Sequence, residues 1–129
     1  MEKLTEFKNM PVRYTETQHV KDGVDCDVYQ FAGDTSKDLG IVTVKKGYST
    51  PLQKVMKGDR TIEGFLEGKG ILSVTGKSGK IESYSFPHPS LNEVQVEKEE
   101  VMSWQALEDL AFYEICEPPY EDGRFQTLD

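Results

Sequence analysis

Glu63 is the side chain in this sequence best suited to proton transfer. It sits in "RTIEGFL", where the two-residue period of a strand puts Thr61, Glu63 and Phe65 on one face. A carboxyl buried there without a partner has its pKa raised and becomes a general base near neutral pH. The same alternation pairs Gln53 with Val55 in "LQKVMK" and Met102 with Trp104 in "VMSWQAL". Together these faces carry apolar and aromatic groups with a few polar ones, which is the general character of a small-ligand pocket. Each residue also has a plainer use. Trp104 and Phe65 can simply fill a barrel, Met102 is soft packing material, and a lysine or tyrosine can neutralise Glu63. The chain's two histidines, His19 and His88, have no acid or nucleophile partner recognisable in the sequence; both are expected on the surface or in loops. No Walker loop, dinucleotide fingerprint, nucleophile elbow or Cys-x-x-Cys pair occurs, and "GKG" and "GKSG" lie at hairpin turns, not ahead of helices.

The elements that must position these groups are strands. Turn signals recur every eight to twelve residues: Asp22-Gly23, Gly33-Asp34, Gly47, Gly58-Asp59, Gly68 with Gly70, Gly76 with Gly79, and Pro87 with Pro89. Between them lie about ten segments rich in β-branched and aromatic residues, more than one flat sheet holds comfortably. Two facing sheets or a closed barrel resolve the excess. "EGKGILSVTGKSGKIESYSF" reads as a hairpin turning at Gly76-Lys77-Ser78-Gly79. In "WQALEDLAFYEI" the residues Leu107, Leu110 and Ala111 share a helical face, but the segment is short and "FYEIC" suits a strand, so strands are expected. The densest acidic cluster, "EKEE" at 97–100, marks a turn. Beyond it, "EPPYEDGRFQTLD" at 117–129 opens on two prolines, which stop strand pairing and predict an extended tail.

The 129 residues suit a single domain spanning 1–129, with no internal repeat and no linker. No segment has the apolar length of a membrane helix, and "MEKLTEFKNM" lacks the apolar core of an export signal. A cytoplasmic protein that does not engage membranes is therefore expected, with Cys26 and Cys116 reduced. A net charge of −8 argues against nucleic acid as a partner, because polyanions are held by basic surfaces.

From Gly47 to Gly68 the sequence resembles the first motif of the cupin superfamily, in which a glycine, a His-x-His pair, a glutamate and a closing glycine occupy a strand hairpin. The glycines are in place, but Gln53 and Val55 stand where the histidines belong and Thr61 where the glutamate belongs, with one residue too many between Val55 and Thr61. The second motif is more eroded. "VEKEEVMSWQALEDLAFYEI" is similar to the cupin tail pattern, with Met102 in the place of its histidine and Leu91, Glu97, Glu99 and Ala106 at its other fixed positions. The resemblance covers residues 39–116. It implies an all-β double-stranded β-helix, or jelly-roll barrel, and turns the shared faces of Gln53, Val55, Thr61, Glu63, Phe65, Met102 and Trp104 toward the lumen.

It does not carry over the family's metal chemistry. A transition metal needs three or four converging imidazole, thiolate or carboxylate donors, whereas valine has no lone pair and thioether, amide and hydroxyl groups bind such ions weakly. The expectation is a cofactor-free barrel with no metal site, binding a small polar organic molecule such as a carbohydrate or a carboxylic acid. A metal-independent isomerase or epimerase with Glu63 as base is the second reading. A filled barrel used for assembly through its aromatic, proline-rich tail is the third. Small cupins often pair through an outer sheet, which adds the expectation of a homodimer.

Overall fold

The computed structural model describes residues 3–128; Met1, Glu2 and, from the expected tail, Asp129 lie outside it. Twelve strands account for the regular structure: β1 Glu6–Phe7, β2 Met10–Lys21, β3 Val24–Phe31, β4 Asp34–Val44, β5 Gln53–Val55, β6 Arg60–Glu67, β7 Gly70–Thr75, β8 Ile81–Phe86, β9 Glu93–Val96, β10 Val101–Ala106, β11 Leu110–Glu117 and β12 Phe125–Thr127. Each of the segments read as a strand is one. "WQALEDLAFYEI" is the end of β10, a turn and most of β11, with no helix.

The strands form two antiparallel sheets, ordered β1-β2-β3-β4-β11-β6-β9 and β12-β5-β10-β7-β8. These facing sheets are the two sides of a jelly-roll barrel, as the strand count and the resemblance both implied. Alternation along the larger sheet separates two apolar layers. On its concave face Val24, Val42, Val44, Leu110 and Phe112 meet Leu72, Val74, Met102 and Trp104 from the smaller sheet and form the main core. On the convex face Tyr29, Leu39, Ile41, Tyr113 and Ile115 form a second cluster, closed by Phe7 of β1. Phe7 packs edge-on against Tyr113 with ring centroids 4.9 Å apart. Tyr113 lies across Gly64, where any Cβ would fall 2.0 Å from its ring. The tyrosine hydroxyl donates to Glu93, which also pairs with Lys8.

The glycine frame holds at the hairpins. Gly68, between β6 and β7, has φ +94° and would bring a Cβ within 1.9 Å of the Asp109 carbonyl oxygen, so neither its dihedral nor its surroundings admit a side chain. The "EKEE" cluster forms the turn between β9 and β10.

The C-terminal segment departs from the expected extended tail. β11 stops at Glu117, directly before the prolines, yet the chain re-enters the smaller sheet as β12, with Phe125 opposite Val55 and Thr127 opposite Gln53. A prolines-first reading could not see this, because the pairing partner lies some seventy residues earlier in the chain. Arg124 secures the return. Its side chain is buried, and the guanidinium donates to the carbonyl oxygens of Pro118 at 2.8 Å and Arg60 at 2.6 Å and to Thr61 Oγ1 at 3.0 Å. Its own carbonyl oxygen accepts from the Met56 N–H at 2.7 Å. Gly58, at φ +104°, leaves the space the guanidinium occupies.

Removing a buried cation's hydrogen bonds strands the carbonyls it served. Arg124→Ala is expected to lower unfolding free energy by about 3 kcal/mol. Lys57→Ala, which breaks only exposed contacts, an ion pair with Glu121 and a hydrogen bond to the Asp122 carbonyl oxygen, should shift it by less than about 0.5 kcal/mol. Urea denaturation monitored by circular dichroism measures both.

Candidate functional site

The concave face of the larger sheet is built in rungs. Cross-strand register sets Glu16 beside Val28, Val28 beside Gly40, Gly40 beside Glu114, Glu114 beside Glu63, and Glu63 beside Val94. One neighbouring rung runs Gln18, Cys26, Val42, Phe112, Phe65, and the other Gln30, Asp38, Cys116, Thr61, Val96. Three carboxyl-bearing strands are thereby aligned, and Glu63 and Glu114 face each other directly across the β6–β11 pair.

Glu63 is fully buried, and its Oε1 accepts a hydrogen bond from Trp104 Nε1 at 2.9 Å, tying the larger sheet to the smaller. Its Oε2 is also buried and makes no hydrogen bond of normal geometry among the described residues. Burial first, and then the neighbouring Glu114 carboxyl, push Glu63 well above the ordinary carboxylate range, against the opposing pull of the Trp104 N–H. Two like carboxyls this close hold one proton between them more readily than none.

The lumen is filled at one end and open at the other. Phe65 stacks on Phe86 at 5.5 Å, Phe86 leans on Trp104 at 5.4 Å, and Trp104 stacks on Phe112 at 4.5 Å, so a row of aromatic rings plugs the end toward β8. Beyond Trp104 and Phe112 a cavity of about 600 Å³ opens, bordered by Glu63, Glu114, Asp38, Cys26, Cys116, Met102, Gln53, Tyr120 and Phe125, with Glu16 and Gln18 toward its rim. Gly40 contributes no side chain to this wall, and a Cβ there would press on Cys26 Sγ at 3.0 Å. Asp38 accepts from the Tyr120 N–H at 3.0 Å, and partial burial raises its pKa.

Of the residues expected at the lumen, Gln53, Glu63, Met102 and Trp104 border this cavity, while Val55, Thr61 and Phe65 do not. Val55 is packed in the core opposite Phe125, Thr61 holds Arg124, and Phe65 belongs to the aromatic plug. The glutamate that cupins place on this strand falls at Thr61 by the motif count, but the carboxyl that reaches the cavity is Glu63, one alternation further on. Glu114, Asp38 and Glu16 went unrecognised in the sequence. Only long-range register brings them beside Glu63, although the alternation of "YEIC" does set Glu114 and Cys116 on one face.

Neither histidine is buried. His19 borders the cavity at its rim beside Gln18, with its side chain 64% exposed and Nδ1 2.9 Å from Asp25 Oδ1. His88 Nδ1 accepts the Leu91 N–H at 3.0 Å and serves its own turn. Both agree with the surface or loop placement expected of them. Cys26 and Cys116 are unpaired thiols. Burial, followed by the Glu114 charge, pushes Cys26 up to about 12 and Cys116 still higher.

At the cupin ligand positions the donors do not fit a metal. Val55 offers none, Thr61 is committed to Arg124, and Gln53 and Met102 provide only weak neutral donors to a transition-metal ion. No group of three or more His, Cys, Asp or Glu side chains among the described residues is arranged to hold an ion.

Comparison with solved structures establishes the cupin fold. An oxalate decarboxylase from Lactobacillus farciminis, in a formate complex, is 15% identical with a TM-score of 0.70 over 91% of this chain and 33% of that one. CapF, in a structure with the inhibitor 3-isopropenyl-tropolone, is 13% identical with a TM-score of 0.68 over 92% of this chain and 34% of that one. The chain thus spans about a third of the length of these two proteins. A variant of Streptomyces PAC13 with uridine matches nearly end to end, with 14% identity and a TM-score of 0.66 over 91% of this chain and 90% of that one. No protein-family model matches the sequence, and no curated protein matches it. At these identities the likeness speaks for the fold alone. Among the described residues, no helix is long and apolar enough to cross a membrane.

Two outcomes follow from the buried groups. An unfolded glutamate titrates near 4.5. Above that pH the folded state retains a proton that the unfolded chain releases, so stability falls as pH rises toward the elevated folded value. Glu63→Gln imitates the protonated carboxyl. It is expected to leave stability near pH 4.5 almost unchanged, to add at least about 1 kcal/mol at pH 8, and to flatten the slope between them, as read from thermal unfolding across pH. The thiols should resist alkylation in the native state at pH 8 and react fully once denatured, as measured by mass after iodoacetamide treatment.

Proposed function

We propose that this protein binds a small organic molecule in the open end of its barrel, between the Trp104–Phe112 pair and the Glu63–Glu114 carboxyls. One observation carries this reading: a cavity of about 600 Å³, lined by apolar, aromatic and polar groups together, opens beside the buried Glu63–Glu114 carboxyl pair. A cavity of this size accommodates such a molecule, whereas a barrel used only for assembly has no need of the space. Of the ligand classes considered from sequence, a carboxylic acid is disfavoured, since Glu16, Asp38, Glu63 and Glu114 all border the cavity and neither lysine nor arginine does. A neutral polar or a cationic molecule suits that wall.

A metal-independent isomerase is the second reading, favoured by the direct opposition of Glu63 and Glu114. One carboxyl of such a pair can accept a proton while its partner donates one. In that case a bound substrate would exchange a carbon-bound hydrogen with solvent deuterium, and Glu63→Gln would abolish the exchange.

Trp104 is the only tryptophan, so its indole N–H is a single resonance at the cavity wall. A library of small neutral and cationic organic molecules screened by NMR should contain members that shift this signal. Val28→Trp, placing bulk at the cavity wall, should reduce their binding at least tenfold while preserving the fold. That variant's own indole signal is assigned by comparison with the parent. Failure of every library member to move the Trp104 resonance would overturn the proposal.

A further inference from the structure

We infer that the ligand of this cavity is an organic cation, a protonated amine carried on an apolar body, held between the Glu63–Glu114 carboxyls and the rings of Trp104 and Phe112. The inference rests on the lumen-binding reading and assigns its ligand class.

Three features of the wall converge on a cation. First, the buried Glu63 carboxyl meets Glu114 directly across the β6–β11 pair, and no basic side chain acts on it. Both are acceptors once ionised, and an ammonium offers three donors with the compensating charge. Second, the acidic groups extend beyond the pair. Glu16 lies on the same rung as Glu114 and Asp38 on the next, with no lysine or arginine and one exposed histidine, His19, among the residues bordering the space. Arg124, whose charge reaches Asp38 and Cys116, donates to Pro118, Arg60 and Thr61 and does not itself border the space. Third, the smaller sheet contributes Gln53, Met102 and Trp104 to this wall, none of them charged. Together with Phe112 and Phe125 they give the apolar body of such a molecule a surface to pack on.

A neutral hydroxyl would supply a hydrogen bond but not the charge. An anion would add a like charge to a wall that already concentrates acidic groups.

Benzylamine, benzyl alcohol and benzoate share a ring and differ in the group that meets the carboxyls. Each is titrated into the wild-type protein at pH 7.5, with the Trp104 indole resonance as readout. Benzylamine is expected to bind at least tenfold more tightly than benzyl alcohol, and benzoate not to bind. The tenfold preference should collapse in Glu63→Gln and in Glu114→Gln, each checked for a native spectrum. If benzyl alcohol binds as well as benzylamine, or benzoate binds better, the cation assignment is overturned while the lumen site stands. If none of the three moves the resonance even at millimolar concentration, the site and the assignment fall together for ligands of this size. The comparison among the three probes is made on the unaltered protein, so a variant that does not fold leaves the test intact.

Discussion

A single buried hydrogen bond, from the Trp104 indole to the Glu63 carboxyl, organises the interior of this barrel. It joins the two sheets at 2.9 Å and fixes the indole plane. The fixed ring divides the lumen. On one side Phe86 and Phe65 continue the aromatic packing to the end of the barrel, and on the other Phe112 completes a stacked pair facing open space. A carboxyl is an awkward choice for such a joint, because the second oxygen must also leave water and here meets only another carboxyl, that of Glu114. Inside a packed domain, an apolar residue at this position would stabilise more.

The other constraints follow from strand register. Because β11 lies between β4 and β6, the concave positions of three acid-bearing strands fall on adjacent rungs, and Glu114 is driven against Glu63. Such pairing of like charges is normally avoided across a sheet. It is retained here beside two thiols whose pKa the same burial raises. The tail contributes from the opposite side. β12 and Arg124 cover the end of the barrel near Thr61, while Tyr120 and Phe125 become part of the cavity wall. Residues that look like an appendage in sequence therefore help to shape the site.

Set against the cupin frame, the chemistry has moved while the scaffold has stayed. The strand positions that carry metal ligands in that family hold Gln53, Val55, Thr61 and Met102, and two of these, Val55 and Thr61, have become structural, one in the core and one as a partner of Arg124. The acidic side chains lie instead on the rung shared by Glu63 and Glu114. Fold likeness to an oxalate decarboxylase or to CapF consequently says little about what this cavity accepts; the lining does.

The sequence by itself fixed the strands, the turns between them, and the face on which each side chain lies, since period-two alternation and glycine-demanding dihedrals are local properties. Those properties set Glu63 and Trp104 on faces that the cupin resemblance turned inward, and left both histidines at the surface. They could not show that Glu63 meets Glu114, that Asp38 and Glu16 join the same wall, that Thr61 is consumed by Arg124, or that the proline-led tail returns as a strand. Each of these depends on which distant strands become neighbours and in what register. That choice is made by packing the whole barrel, and no window of the chain contains it.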